Sequence, residues 1–272
     1  MIKKRTKIVA TISDKRCDPE FIRELYREGM DVIRINSAHL NIDGALEIIR
    51  NTRTVSDKIA ILLDTKGPEI RTTICDAPVQ LKKGSTVLIA GNPGEKTSDR
   101  IINVSYIDFV SKVPEGSAIL IDDGDLELRA IKRNGDCLEC FVENDGILGS
   151  RKSVNLPGLK ICLPSLTDKD RAFIKMAVDN GVDFIAHSFV RSKQDVLDVQ
   201  AVLDEYKSYV KIIAKIENEE GVENIDEILE NVYGIMVARG DLGIEIPYEK
   251  ITGFLLLMHF EIIIFWIPGI FS

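Results

Sequence analysis

The segment "KIIAKIENEEG", residues 211–221, starts as the apolar run of a buried strand and then carries Lys215 and Glu217 two residues apart. Side chains two apart on a strand share a face. Burying either charge alone costs several kcal/mol, so the pair demands compensation. Three other apolar runs end the same way: Arg34 and Asn36 in "DVIRIN", Asp64 and Lys66 on either side of Thr65, and Arg239 and Asp241 in "GIMVARGD". Any one pair reads most simply as a local salt bridge at a strand end. Four from separate strands point instead to a shared rim rich in cations and carrying two acids. Glu217 and Asp241, from adjacent strands, are the type of pair that holds one Mg²⁺ or Mn²⁺ by a carboxylate oxygen each. Lys215 and the arginines suit a strongly anionic substrate, most simply a phosphate. Phosphoryl transfer needs positioning and charge neutralisation more than a covalent nucleophile. No Ser-His-Asp or Cys-His set is apparent. His39 and His187 stand alone, and a lone histidine is more often structural than catalytic.

Such a rim requires parallel strands, and the pattern supplies them. β-branched runs at 6–12, 31–36, 59–65, 182–190, 211–217 and 234–241 alternate with amphipathic helical stretches, such as 19–29, about 43–55 and 222–232. Between about Thr72 and Cys162 the helical periodicity disappears, and short alternating runs with turn signals read as antiparallel strands. No Gly-x-Gly-x-x-Gly follows a strand, so the dinucleotide-binding fold lacks its fingerprint. A (β/α)8-type barrel, with about six strands in this chain and a small β-barrel domain inserted after the third, fits better; its chemistry lies at the C-terminal strand ends. The expected organisation is a first barrel segment over 1–71, the inserted domain over 72–162, a second barrel segment over 163–250, and an apolar tail over 251–272.

Composition narrows the partners. The chain has 272 residues, 45% of them hydrophobic, and a net charge of −8. With no dense Lys/Arg block, this argues against nucleic acid and anionic membranes as partners. Five cysteines without a secretion signal read as reduced thiols in a cytoplasmic protein. "CLEC" lacks the second Cys or His pair of a zinc site. "GNPGEKT" breaks the Gly-Lys adjacency of a phosphate-binding loop.

These residues carry a family resemblance. "LLDTKGPEIRT" (62–72), "IIAKIENEEG" (212–221) and "GIMVARGDLGIEIP" (234–247) resemble the signature segments of the pyruvate kinases. "GSRKSVNLPG" (149–158) resembles the segment leading from their small β-domain back to the barrel, and "TKIVATIS" and "GMDVIRINSAH" resemble their first two strands. The similarity runs from about residue 3 to about residue 250. It implies phosphoryl transfer from phosphoenolpyruvate to ADP, giving pyruvate and ATP, in a homo-oligomeric enzyme that uses Mg²⁺ or Mn²⁺ and K⁺. By the same resemblance Lys215 stabilises the phosphoryl group, and Glu217 and Asp241 bind the divalent metal. Backbone N–H groups at Gly240 and Asp241, at a helix start, hold the substrate carboxylate. Arg34 and Arg71 contact phosphates, and His39 joins them at the nucleotide. Lys152 reaches the nucleotide as the β-domain closes. Asn36, Asp64 and Thr65 match the ligands of K⁺, and Glu69 matches the acid that accompanies K⁺ dependence.

Two departures stand out. Where the family reads Arg-x-Asn-Phe-Ser-His, this chain reads "RINSAH", with Ser37 for Phe and Ala38 for the serine that donates to K⁺. K⁺ affinity is expected to be weaker unless Ser37 or water supplies the missing oxygen. After "EIPYEK" the chain reads "ITGFLLLMHFEIIIFWIPGIFS", without the expected Thr-Gln-Met-Leu segment. These residues are too few for two further β/α units of roughly 25 residues each. A truncated or frame-shifted reading of a longer gene is expected first, ahead of a tail packed on the open barrel edge or a membrane anchor interrupted by Glu261. On that basis the chain as given is expected not to turn over. The competing readings are a metal-dependent lyase or aldolase on a related phosphoenolpyruvate/pyruvate barrel, which would lack the inserted domain and "DTKGPEIR", and a non-catalytic remnant.

Overall fold

The computed structural model describes residues 6–246, Glu249 and the backbone of Ile263–Phe265. In chain order the first elements are β1 (Val9–Thr11), α1 (Pro19–Arg27), β2 (Val32–Asn36), α2 (Ile42–Val55) and β3 (Ala60–Asp64). A second group follows: β4 (Val79–Leu81), β5 (Thr86–Ala90), β6 (Ile101–Asn103), α3 (Phe109–Lys112), β7 (Ala118–Ile121), β8 (Leu126–Asn134), β9 (Cys137–Val142), β10 (Gly146–Leu148) and β11 (Val154–Asn155). The chain then returns to a β/α rhythm. Its last elements are α4 (Asp168–Asp179), β12 (Phe184–His187), α5 (Lys193–Glu205), β13 (Lys211–Ile216), α6 (Glu219–Glu223), α7 (Ile225–Leu229), β14 (Gly234–Val237), α8 (Arg239–Glu245) and β15 (Ile263–Phe265). The chain divides into two compact units. One comprises the described residues of Met1–Pro68, Pro164–Ala238 and Leu256–Ser272, and the other those of Glu69–Leu163 and Arg239–Leu255.

The first unit is a parallel sheet in the order β1-β2-β3-β12-β13-β14-β15. Sequential strands are neighbours, with helices in the crossovers, as in a (β/α)8-type barrel that lacks strands. The sheet has one strand more than the six read from the sequence. β15, from the apolar tail, pairs in parallel with β14 through Ile235↔Ile263 and Val237↔Phe265. The rest of the tail lies outside the described residues, and so do the truncation and membrane-anchor readings made for it. Among the described residues no helix is long and apolar enough to cross a membrane.

Local sequence sets the helix ends. Asp18 caps α1 by accepting the Phe21 N–H at 3.0 Å, and Pro19 follows at the first turn, where its missing N–H costs nothing. Thr167 and Asp170 form a reciprocal capping box at the start of α4. Strands β2, β3, β12, β13 and β14 are largely apolar and mostly buried, as a parallel sheet covered by helices requires, while β1 at the edge is partly exposed. Leu62, Ala186, Ile213 and Met236 form one apolar cluster. By strand alternation this cluster is the floor of the site. Leu62 precedes Asp64 by two residues, Ala186 precedes Ser188 and Ile213 precedes Lys215, so each polar group stands one step higher on the same face.

In the second unit six strands run in the order β11-β7-β8-β9-β5-β6, and β10 pairs with β4. The edges meet through residues 71 and 72: Arg71 bridges Ser153 beside β11, and Thr72 bridges Val104 beside β6. The ladder is mostly antiparallel as expected, but β5 and β6 are parallel. Its core includes Phe109, Ile119, Leu128 and Leu138, all fully buried.

The element boundaries correct two sequence readings. The apolar run at 234–241 is strand only to Val237, and Arg239 and Asp241 stand on α8. Residues two apart on a helix do not share a face, so the expected Arg239/Asp241 strand pair does not exist. The helix read over 222–232 is two short helices, α6 and α7, which join at Asn224.

Candidate active site

Four charged side chains from three strands meet at the C-terminal end of the first unit's sheet. Arg34 on β2 donates from Nε to Asp64 Oδ2 on β3 at 2.6 Å, and its Nη2 reaches the same oxygen. Arg34 Nη1 also reaches Thr11 Oγ1 at 3.1 Å. Lys215 on β13 places its Nζ 3.1 Å from Asp64 Oδ1 and 2.9 Å from Glu217 Oε1. All four residues are buried: Arg34 is 5%, Asp64 1%, Lys215 7% and Glu217 2% exposed. Two cations and two anions make the cluster neutral, which is what allows it to be buried.

The titration behaviour follows from this geometry. Burial by itself would raise the Asp64 carboxyl and lower the Lys215 ammonium. The neighbours win in both cases. Lys215 and Arg34 hold Asp64 below the ordinary carboxylate value. Asp64 and Glu217 lift Lys215 above the ordinary lysine range. Lys215 is therefore a permanent cation in this site, suited to anion binding and unsuited to proton abstraction at neutral pH.

The turn after β12 completes the cluster with groups that were not among the sequence-derived candidates. Ser188 Oγ lies 2.7 Å from Lys215 Nζ, 3.1 Å from Asp64 Oδ1 and 2.6 Å from the Thr65 carbonyl. Ser188 N–H donates to Thr65 Oγ1 at 3.0 Å. The Thr65 hydroxyl also lies 3.2 Å from His187 Nδ1, within hydrogen-bond reach. Burial pushes His187 down to about 4, so the ring is neutral there. Phe189 N–H donates to Glu217 Oε2 at 2.8 Å. The signal for Ser188 was present: it follows Ala186 by two residues, on the same face. A search confined to charged residues passes over it.

The other expected site residues are distributed as follows. Asn36 is the direct register partner of Asp64, and its Oδ1 accepts the Ala38 N–H at 3.0 Å. His39 lies in the turn after β2, its N–H 3.4 Å from the Asn36 carbonyl, and its ring is not part of the buried cluster. Lys66 engages Asp170 through its backbone N–H at 2.9 Å. Ser37 donates its N–H to the Asp64 carbonyl at 3.0 Å. Its buried hydroxyl has no partner among the described residues, so it does not bond Asn36, Asp64 or Thr65.

Within the second unit, Arg71 sits where the β-barrel closes. It pairs with Glu69 and donates from Nη1 to the Arg151 carbonyl at 2.7 Å. Lys152 pairs with Asp122 at 2.6 Å, and its N–H bonds Thr72 Oγ1 at 2.9 Å. Asp122 holds that pair from a φ of +56°, in a hairpin tip where Asp123 and Gly124 also have positive φ. Gly240 and Asp241 lie in α8, which belongs to this second unit. Cys137 and Cys140 are free thiols.

Comparison with known proteins gives a consistent result. A family model described as the barrel domain of pyruvate kinase matches residues 3–259. A pyruvate kinase of Borreliella burgdorferi is 49% identical over 252 residues, covering 92% of this chain and 52% of the relative. A pyruvate kinase of Staphylococcus aureus is 43% identical over 255 residues, covering 91% of this chain and 43% of the relative. The chain thus spans about half the length of the curated relatives it matches.

Proposed function

Because the chain belongs to the pyruvate kinase family, we propose that it carries the phosphoryl-transfer half of that enzyme's active site and acts on phosphoenolpyruvate and ADP to give pyruvate and ATP. The observation that carries this reading is the Lys215 ammonium, buried and permanently charged between Asp64 and Glu217. A buried ion pair that served packing alone could give way to apolar side chains at little or no cost in stability. A lysine that must neutralise a phosphoryl group in flight needs a fixed position and a dry environment.

In this reading Lys215 and Arg34 draw the phosphoryl oxygens to the strand ends, while Asp64 holds both cations in place. Glu217 accepts one hydrogen bond on each oxygen. A carboxylate offers about four lone-pair positions, so Glu217 retains room for a cation. Its hard oxygens fit Mg²⁺ or Mn²⁺, with Asp241 as the second carboxylate by family resemblance. When bound, the metal neutralises charge on the transferring group and orients the substrate. The Gly240 and Asp241 N–H groups take the substrate carboxylate. Arg71, Lys152 and His39 take the nucleotide. Asn36, Asp64 and the Thr65 carbonyl are oxygen donors suited to K⁺, and Ala38 leaves that set one hydroxyl short. We further propose a cytoplasmic location, and an organisation of barrel segments over 1–71 and 163–250 with the lid domain over 72–162.

The lyase reading is not favoured: the matched family is pyruvate kinase, and the β-domain is present. A coupled assay of ADP-dependent pyruvate formation from phosphoenolpyruvate tests the proposal. The chain extended through its relatives' remaining length is expected to turn over, and Lys215→Met in that background is expected to be inactive. Full activity in Lys215→Met would overturn the assignment.

A further inference from the structure

Lys215 has three N–H groups, and three acceptors meet them: Ser188 Oγ at 2.7 Å, Glu217 Oε1 at 2.9 Å and Asp64 Oδ1 at 3.1 Å. Two of these are the expected counter-charges. The third and shortest is a neutral hydroxyl, 2% exposed. An ammonium matched by three acceptors has no N–H left for an incoming anion. We infer that Ser188 is a positioning residue whose hydroxyl locks the third N–H of Lys215, and so holds down the site's affinity for a phosphate anion while no divalent cation is bound.

The placement of Ser188 is heavily specified. Its N–H is tied to Thr65 Oγ1, and the next residue, Phe189, is tied to Glu217 Oε2. Its own proton has two acceptors within reach, the Thr65 carbonyl at 2.6 Å and Asp64 Oδ1 at 3.1 Å. The shorter contact takes the proton, which leaves the Ser188 lone pairs and Asp64 Oδ1 both facing Lys215. The segment from β3 can approach this closely only because residue 67 is glycine. A Cβ there would lie 2.9 Å from Ser188 Cβ and 3.0 Å from its carbonyl oxygen. An alanine at 188 would fill the same space apart from the hydroxyl, so the hydroxyl's contribution is the lock itself.

The consequence runs opposite to that of an ordinary stabilising contact. Removing the hydroxyl deletes one acceptor and frees one N–H in a buried, cationic position. An anion then gains a hydrogen-bond donor that the intact protein withholds. A cation held by Glu217 would compete with Lys215 for Oε1 and would free an N–H by the alternative route.

This inference rests on the reading of Lys215 as the phosphate-engaging group, and the test separates the two. Inorganic phosphate is titrated by ³¹P NMR into the full chain with divalent cations chelated. The proteins compared are the wild type, Ser188→Ala, Ser188→Cys and Lys215→Met, each with its unfolding midpoint measured. Ser188→Ala is expected to bind phosphate about three- to tenfold more tightly than wild type, the range of one net hydrogen bond. Ser188→Cys, with a weaker acceptor of similar size, shifts in the same direction and serves if the alanine variant does not fold. Phosphate binding equal to or weaker than wild type in the folded serine variants overturns the lock. Phosphate binding that survives in Lys215→Met overturns the assignment of Lys215 instead. A loss confined to Lys215→Met leaves that assignment standing.

Discussion

Phe189 holds Glu217: its N–H reaches Glu217 Oε2 at 2.8 Å, from a backbone φ of +56° that residues other than glycine rarely adopt. The strain lies beside the carboxylate expected to hold a metal. It turns the chain sharply enough for Ser188 to meet Thr65 and Lys215 while Phe189 meets Glu217. Phe189→Gly keeps the conformation accessible and retains the bond. Phe189→Pro removes the N–H and forces φ to about −65°. Urea unfolding is expected to show the proline variant destabilised by at least about 2 kcal/mol relative to the glycine variant, since the lost bond is to a charged group.

Asp64 counterbalances two buried cations, Arg34 and Lys215. Asp64→Asn therefore leaves positive charge uncompensated in a site closed to water, at an expected cost of about 3–5 kcal/mol. Lys215→Met removes one of those cations. The double variant is expected to cost less than the sum of the singles, with a coupling of about 1 kcal/mol or more. Additive losses in equilibrium unfolding would mean that the two groups do not act as a pair.

His187 is held neutral down to about pH 4, whereas an unfolded histidine takes its proton near 6.5. The unfolded chain therefore binds the extra proton first, and protonation works against folding. Stability from this source is complete above about pH 6.5 and drains away toward pH 4, by up to roughly 3 kcal/mol. Asp64 acts in a lower window: its depressed value gives stability that is present above about pH 3.9 and lost on further acidification. His187→Gln is expected to flatten the unfolding free energy between pH 7 and pH 4. A slope unchanged by that substitution would contradict this account.

Gly221 lies inside α6, where helix propensity alone favours alanine by about 1 kcal/mol. Packing reverses the sign. A Cβ there would sit 2.4 Å from the Val190 carbonyl oxygen, a backbone atom that cannot step aside. That carbonyl follows the Ser188–Phe189 turn and also receives the Asn218 side chain at 3.4 Å. Gly221→Ala is expected to lower the thermal midpoint despite its better propensity. A rise would show that the turn can yield.

Much of this site was legible before any coordinates. The alternation of side chains along Leu62–Asp64 and Ile213–Lys215 puts a polar group one step above each apolar one, and a charge can end a buried run only where something compensates it. The motifs around Asp64, Lys215 and Asp241 carry the family resemblance, and the matched family bears it out. Other features were hidden because they depend on where a strand stops. Nothing in "GIMVARGD" marks the passage from strand to helix between Val237 and Arg239, so Arg239 and Asp241 were read onto a face that ends before them. The parallel β5–β6 pair and the β15 strand follow from long-range pairing, which local pattern does not encode.

The sequence by itself determined which residue types crowd the strand ends and which family the chain resembles, because both are written in local order and period. Only the tertiary structure decided who meets whom. Lys215 lies 151 positions from Asp64 and 27 from Ser188, and no spacing rule fixes a contact across such a gap. The register of neighbouring strands, set by burial of the apolar floor beneath them, brings those three side chains to one point and leaves the ammonium with every proton engaged.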